Sequence, residues 1–152
     1  MDLALFEPDI PQNTGAMIRL GACLGVPVHI IEPCGFPFSA KAMKRAGMDY
    51  IDQAKITRHA SWQTFDEWRT SEARRLILLT TKVETNYTGF HFKKSDILMV
   101  GRESAGVPKA VREAADQSLT IPMAAGLRSL NVATAAAMVL GEALRQTGAF
   151  PK

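Results

Sequence analysis

A strand-like run passes through a glycine-bounded turn into a helix start in the stretch Met99-Val100-Gly101-Arg102-Glu103-Ser104-Ala105-Gly106-Val107-Pro108. A second segment of the same kind is Ile121-Pro122-Met123-Ala124-Ala125-Gly126-Leu127-Arg128-Ser129-Leu130-Asn131. At a helix start the backbone N–H groups can face a ligand, above all beside the ends of parallel strands. The two segments together predict a small-molecule pocket that is built from loops at one edge of a parallel sheet.

Strand-like and helix-like patterns alternate along most of the remaining chain. Short apolar runs predict strands at 3–6, 26–31, 51–57, 76–81, 97–100 and 118–121. Helical spacing of apolar residues predicts helices at 14–24, 40–46, from 62 onward, at 107–115 and at 131–146. Asn13 and Ser61 are expected as N-terminal caps, and Pro108 at a first helical position. The alternation predicts an α/β fold, with a mostly parallel sheet and helices on both faces.

Length and composition predict an ordinary globular protein. The 152 residues are expected to form one domain, 1–152, and 47% hydrophobic with 22% charged residues argue against disorder. The formal net charge is +3, and basic side chains gather in 41–59 and 74–94, which form either a solvated face or a surface for nucleic acid. A signal-peptide pattern and an apolar run of membrane length are both missing, so a cytoplasmic location is expected.

Several kinds of active site are excluded by the motifs. A hydrolase elbow needs glycine where Arg102 stands, and the order of serine, acid and histidine is not met. The phosphate-binding Gly-x-x-x-x-Gly-Lys-Ser/Thr loop does not occur, and a dinucleotide-binding Gly-x-Gly-x-x-Gly does not follow the first strand. His, Cys, Asp and Glu have no metal-ligand spacing, so no metal is expected. The kind of site that is left is one in which backbone groups hold a cofactor.

A third segment, Asn13-Thr14-Gly15-Ala16-Met17-Ile18-Arg19, completes a recognisable set. Together with the 101–108 turn and the 121–131 segment, it resembles the three motifs of the SpoU-type RNA ribose 2'-O-methyltransferases of the SPOUT superfamily. Further matches are Glu7-Pro8-x-Ile10-Pro11, Ile30-Ile31-Glu32-Pro33 and Arg45-Ala46-Gly47-x-Asp49-Tyr50. The resemblance runs nearly end to end and is greatest to the minimal branch that methylates the wobble nucleotide of the tRNA anticodon.

The resemblance implies a fold, a cofactor and a set of site residues. The C-terminal part is expected to form a deep trefoil knot that holds S-adenosylmethionine, with tRNA as the substrate and no separate RNA-binding domain. Minimal members act as homodimers. The residues that match cofactor contacts are Leu79, Gly101, Ile121, Ser129 and Leu130. Arg19 matches the catalytic arginine, and Asn13, Glu103 and Asn131 match positions that support the site or contact substrate.

Some assignments stay open on the sequence. Glu103 either pairs with an arginine or fixes the loops, Asn131 either caps the last helix or positions the ribose, and Ser129 is either a cap or a cofactor contact. The stretch 82–95 is either a binding loop or disordered. Val132-Ala133-Thr134-Ala135 lacks the serine and asparagine of the wobble branch. Another tRNA or rRNA ribose, or a non-catalytic RNA-binding role, is therefore the alternative.

Overall fold

The computed structural model describes residues 1–45 and 50–152. Within them, six parallel strands form a single sheet with the order β3-β2-β1-β5-β4-β6. The strands are β1 (Asp2–Phe6), β2 (Val28–Ile31), β3 (Ile56–His59), β4 (Leu76–Leu79), β5 (Ile97–Val100) and β6 (Gln117–Leu119). The direction in which successive strands are added to the sheet reverses between β1 and β5. Open parallel sheets bind ligands in the crevice that forms at such a reversal.

Helices cover both faces of this sheet. They are α1 (Pro11–Leu24), α2 (Ala40–Arg45), α3 (Trp62–Ser71), α4 (Lys109–Ala114) and α5 (Val132–Thr147), with a short 3₁₀ helix at Tyr87–Gly89. The predicted α/β architecture with a parallel sheet is confirmed. None of the described helices is long and apolar enough to cross a membrane.

The two faces of the sheet bury alternate residues of the same strands. Leu3 and Leu5 of β1 pack in a cluster with α1 and α5, whereas Ala4 and Phe6 pack in a second cluster with α3 and α4. All five residues of β1 and all four of β5 are buried. Successive side chains of a strand point to opposite faces, so a strand that is covered on both sides is mostly apolar, and Asp2 is the polar exception in β1.

A row of polar groups lies buried in the second cluster. Nε2 of His29 lies 3.1 Å from Oδ2 of Asp2, and Nδ1 of His29 lies 3.0 Å from Nε2 of His59. Arg74 donates to the same carboxylate of Asp2, and the ring of Trp68 lies over His29 at 4.6 Å between centroids. Because the Asp2 carboxylate accepts hydrogen bonds only, His29 donates to it through Nε2, and only the neutral form of His29 can accept at Nδ1.

Several predicted boundaries are corrected by the structure. Helix α1 begins at Pro11 rather than at Thr14, because proline suits the first helical position and Thr14 N–H already bonds to the Ile10 carbonyl at 3.1 Å. Asn13 is therefore not the cap and lies inside the first turn. Pro108 is itself the cap of α4, which begins at Lys109. The cap predicted at Ser61 is confirmed, since Ser61 accepts from Thr64 N–H.

The weak strand predicted at 51–57 is displaced toward the C-terminus. The amides of Gln53 and Ala54 both donate to the Tyr50 carbonyl at 3.1 Å, so 50–54 is a turn and β3 starts at Ile56. The end of the predicted helix at Ala46 and most of the turn predicted at 47–50 lie outside the described residues. The stretch 82–95 is ordered, because Tyr87 N–H bonds to the Thr120 carbonyl at 3.1 Å and Phe92 is buried.

Candidate cofactor and substrate site

A cavity of about 590 Å³ opens at the carboxyl ends of β4 and β5. This volume lies within the range of small-molecule and cofactor sites. Eight of the nine site residues predicted from the sequence line it: Asn13, Leu79, Gly101, Glu103, Ile121, Ser129, Leu130 and Asn131. The structure thus brings the 101–108 and 121–131 segments and the start of α1 to one place, although the start of α1 lies more than eighty residues before either segment.

One wall of the cavity is the 101–106 turn. Arg102 and Gly106 exchange two backbone hydrogen bonds, at 3.1 and 2.8 Å, and Gly106 has a positive φ of 66°. A Cβ on Gly101 would lie 2.7 Å from the carbonyl carbon of Gly106. Glycine is needed at position 101 because the turn folds back onto its backbone.

The opposite wall is formed by the 128–132 segment, which leads into α5. Asn131 caps α5, since its Oδ1 accepts from the amides of Ala133 and Thr134 at 2.9 and 3.2 Å. Its Nδ2 donates to Oδ1 of Asn13 at 2.9 Å. One side chain therefore caps one helix and bonds to the first turn of another. Because Asn131 is the cap, Ser129 is not, and Ser129 lines the cavity instead.

Apolar and polar groups are both present around the cavity. Ile121 is buried, Leu79 is half-buried and Leu130 is 40% exposed, so the three offer an apolar surface that is open on one side. Polar side chains that the sequence did not single out also line the cavity, among them Thr80 and Arg128. A flat apolar ring with hydrogen-bonding edges fits such a lining.

Glu103, in the 101–106 turn, is held by Asp9 rather than by an arginine. Its Oε2 accepts from the Asp9 amide at 3.0 Å, and its own amide donates to Oδ1 of Asp9 at 3.0 Å. Burial, followed by the neighbouring Asp9 carboxyl, raises the pKa of Glu103. The proximity of Glu103 lowers the pKa of Asp9 to about 2. Of the two open readings for Glu103, the structure therefore favours the fixing of loops.

Arg19 is the predicted site residue that does not line the cavity of its own chain. It lies exposed on α1, and its guanidinium carbon is 4.6 Å from the centre of the Tyr50 ring. Asn13 and Arg19 are six positions apart on α1 and therefore point to different sides of that helix. Within one chain, the candidate catalytic arginine and the candidate cofactor residues are separate.

Comparison with known proteins identifies the family. The SpoU rRNA Methylase family matches residues 1–141, which is most of the chain. The chain belongs to this family. Among similar SpoU-family proteins, the tRNA (cytidine(34)-2'-O)-methyltransferase of Ancylobacter novellus is 56% identical over 150 residues, covering 99% of this chain and 95% of that protein. The enzyme of the same name from Escherichia coli K12 is 40% identical and covers 97% of this chain and 94% of that protein.

Solved structures agree with the SpoU assignment. A structure described as giving insights into the 2-OH methylation of C/U34 on tRNA is 37% identical, has a TM-score of 0.88, and covers 95% of this chain and 94% of that chain. The SpoU methyltransferase AviRb from Streptomyces viridochromogenes, in complex with AdoMet, is 25% identical with a TM-score of 0.84. That alignment covers 96% of this chain and 60% of AviRb.

Four residues beside the SpoU site were not among the site residues predicted from the sequence: Glu7, Asp9, Arg102 and Ser104. Asp9 bonds to Glu103 and Ser104, and Glu7 pairs with Arg102 at 2.6 Å. Asp9 occupies the position that the Glu7-Pro8-x-Ile10-Pro11 match leaves unspecified. Its place three residues after the buried strand β1 was the only local signal, and its partners lie about ninety residues away in the chain.

Proposed function

We propose that this SpoU-family protein is a tRNA 2'-O-methyltransferase that uses S-adenosylmethionine and acts on cytidine or uridine at wobble position 34. The observation that carries the proposal is the convergence of the three motif segments on one cavity, with eight predicted residues in its lining. The names and high identity of the Ancylobacter and Escherichia relatives support the substrate. The lack of serine and asparagine in the stretch 132–135 leaves this convergence intact.

The cavity suits S-adenosylmethionine in both size and lining. Leu79, Ile121 and Leu130 supply an apolar slot for adenine, while the backbone of the Gly101 and Ser129 segments supplies hydrogen-bonding groups. The AviRb structure, which contains AdoMet on the same fold, supports this assignment. When bound, the cofactor supplies an electrophilic methyl group carried by a sulfonium.

Polar side chains are needed to position the ribose and to activate its 2'-hydroxyl. Asn13 and Asn131 are hydrogen-bonded to each other at the cavity, and we assign them to the positioning of the ribose. Arg19 is assigned to the 2'-hydroxyl. Because a guanidinium has a pKa of roughly 12.5 or above, it stabilises developing negative charge on oxygen and anchors phosphate more readily than it accepts a proton.

A homodimer accounts for the position of Arg19. Helices α1 and α5 pack on each other, and Ile10 before α1 and Met138 of α5 are about two-fifths exposed. We infer that α1 and α5 form the interface of a two-fold dimer, and that Arg19 on α1 there reaches the cavity of the partner subunit. We propose that each complete site combines one cavity with the partner subunit's Arg19.

Three further features belong to the same proposal. The loops at 101–107 and 121–131 are expected to form the trefoil knot of the SPOUT fold, which the family membership supports. Residues 1–152 act as one methyltransferase domain that binds tRNA. Action on tRNA implies a cytoplasmic location.

The direct test maps 2'-O-methyl groups in tRNA from cells that lack the protein. Loss of methylation at position 34, restored by the wild-type gene but not by Arg19→Ala, is the expected result. The Arg19→Ala protein should still bind S-adenosylhomocysteine, because Arg19 lies outside the cavity of its own chain. An unchanged anticodon loop would contradict the substrate, and methylation lost elsewhere would indicate a different RNA. Failure of the wild-type protein to bind S-adenosylmethionine in calorimetry would instead favour a non-catalytic RNA-binding role.

A further inference from the structure

Two carboxyl side chains join the segment before α1 to the 101–106 turn. Asp9 and Glu103 each accept a hydrogen bond from the other's backbone amide, both at 3.0 Å. The second carboxyl oxygen of Asp9 accepts from the Ser104 hydroxyl. Asp9 therefore bonds to two successive residues of the turn that forms the cavity wall. We refer to Asp9, Glu103 and Ser104 as the carboxyl clamp.

The surroundings leave the clamp little room to move. A Cβ on Gly35 would lie 2.6 Å from the Cβ of Asp9, so the loop after β2 packs directly against Asp9. On the other side, Glu7 holds a positive φ of 42° and pairs with Arg102 at 2.6 Å. Such a backbone conformation is unfavourable for a residue other than glycine and persists only where neighbours enforce it. The cavity wall is thus tied to the end of β1 at two points.

Burial of one Glu103 oxygen makes a negative charge on Glu103 unfavourable. Oε1 of Glu103 is buried, and no described residue gives it a hydrogen bond. An ionised carboxylate with one buried, unpaired oxygen is unfavourable by a few kcal/mol, and protonation removes most of that penalty. The groups that face Glu103 are Asp9 from the β1–α1 segment and Asn13 from α1, while the nearby Arg102 is paired with Glu7. Within the described chain, no cation is paired with Glu103 to compensate for its ionisation.

We propose that Asp9 is a positioning residue of the cofactor site, and that the carboxyl clamp carries one negative charge, on Asp9, while Glu103 holds a proton. The pKa of Asp9 is lowered to about 2, and burial raises the pKa of Glu103. These opposite shifts agree with an ionised Asp9 and a protonated Glu103. Two neighbouring carboxyl groups with diverging pKa values are the usual form of such a pair. The inference rests on the proposed cofactor and adds a residue that acts through Glu103.

The consequence is a pH-dependent cavity wall. When pH rises through the pKa of Glu103, both carboxyl groups of the clamp become negative and repel each other. Repulsion separates the end of β1 from the 101–106 turn, so affinity for the cofactor falls. Asp9→Asn keeps an oxygen for the Glu103 amide but removes the charge, so the clamp no longer repels at any pH.

The first measurement is the titration of Glu103 itself, by carbon NMR of its side-chain carboxyl in the ligand-free protein, with Glu103→Gln used to assign the signal. We expect a midpoint clearly above the ordinary value of roughly 4.3 for glutamate, and a midpoint at least about one unit lower in Asp9→Asn. Asp52→Asn, which removes an exposed carboxylate paired with Lys44, should leave it unchanged. An ordinary midpoint in the wild type, or the same midpoint in Asp9→Asn, would overturn the inference.

The second measurement is calorimetric binding of S-adenosylhomocysteine at pH values on both sides of the Glu103 midpoint found by NMR. Wild type and Asp52→Asn should lose on the order of tenfold in affinity as Glu103 ionises, whereas Asp9→Asn should bind with little dependence on pH. Equal pH dependence in wild type and Asp9→Asn would contradict the clamp. If the wild type binds no S-adenosylhomocysteine at any pH, the proposed function fails, and the NMR titration still decides whether Asp9 controls Glu103.

Discussion

At the end of β5, the backbone of Gly101 lies against the backbone of Gly106 with no space for a side chain. A Cβ at position 101 would meet three backbone atoms of Gly106 between 2.7 and 3.0 Å away. Backbone atoms cannot rotate aside as a flexible side chain can, so the turn itself would have to shift. The shape of the cavity wall therefore depends on the absence of one methyl group.

Gly101→Ala should displace the 101–106 turn, because the added methyl group would overlap the Gly106 backbone. We expect binding of S-adenosylhomocysteine to weaken by at least tenfold in calorimetry, together with a loss of about 1–3 kcal/mol in unfolding free energy. Gly89→Ala is the matched control, since a Cβ there meets nothing within 4 Å. If both variants bind alike, the close approach at Gly101 has no role in the site.

A second residue-scale prediction concerns the buried histidines. Burial, followed by the charge of His29, lowers the pKa of His59. The unfolded chain therefore binds more protons than the folded protein as pH falls below about 6.5, so stability is present above that pH and is lost on acidification. Melting temperatures from pH 7.5 to 5 should fall in the wild type and fall less steeply in His59→Gln. Parallel curves for the two proteins would show that His59 does not control the acid sensitivity.

At the scale of elements, the single side chain of Asn131 makes two contacts at the start of α5. Oδ1 of Asn131 caps the helix, and Nδ2 binds Asn13 of α1. Aspartate keeps the capping oxygen and loses the donor, whereas alanine loses both. The two functions can therefore be separated by substitution.

Asn131→Asp should keep its unfolding free energy within about 0.5 kcal/mol of wild type, because aspartate caps a helix as well as asparagine. Methyl transfer to tRNA should nevertheless fall by tenfold or more, since Asn13 loses its partner at the ribose site. Asn131→Ala should lose both activity and about 1 kcal/mol, and Ser61→Ala on α3 should lose only the stability. Full activity in Asn131→Asp would show that the bond to Asn13 has no part in catalysis.

The same elements show what sequence reasoning reaches and where it stops. The strands, the caps at Ser61 and Asn131 and the cavity edge were predictable, because they follow from local periodicity and from the ends of parallel strands. The start of α1 was misjudged, since Pro11 and Asn13 are both good start signals and only the fold chooses between them. The pairing of Asp9 with Glu103 was not predictable, because it joins residues 94 positions apart, each amide donating to the other residue's carboxyl group. The knot and the individual roles in the site remain predictions.

At the scale of the whole molecule, the proposed dimer makes a prediction about mixtures. Arg19→Ala lacks the arginine and Gly101→Ala lacks a sound cavity, so each alone should be inactive. If Arg19 acts on the partner's cavity, a heterodimer of the two has one complete site, and an equal mixture after subunit exchange should recover about a quarter of wild-type activity. Activity is measured as methyl incorporation into tRNA. If Arg19 acts within its own chain, the mixture stays inactive.

The bond between Asn13 and Asn131 also bears on the order in which the protein becomes functional. It joins residues 118 positions apart and closes the cavity only when α5 has docked against α1. A nascent chain that has not yet released residues 131–147 from the ribosome therefore has no cofactor site, however well its sheet has formed. Cofactor binding therefore becomes possible only late in folding, once α5 has docked. A bound ligand then stabilises the fully folded protein, whereas incomplete chains, which cannot bind it, gain no such stability.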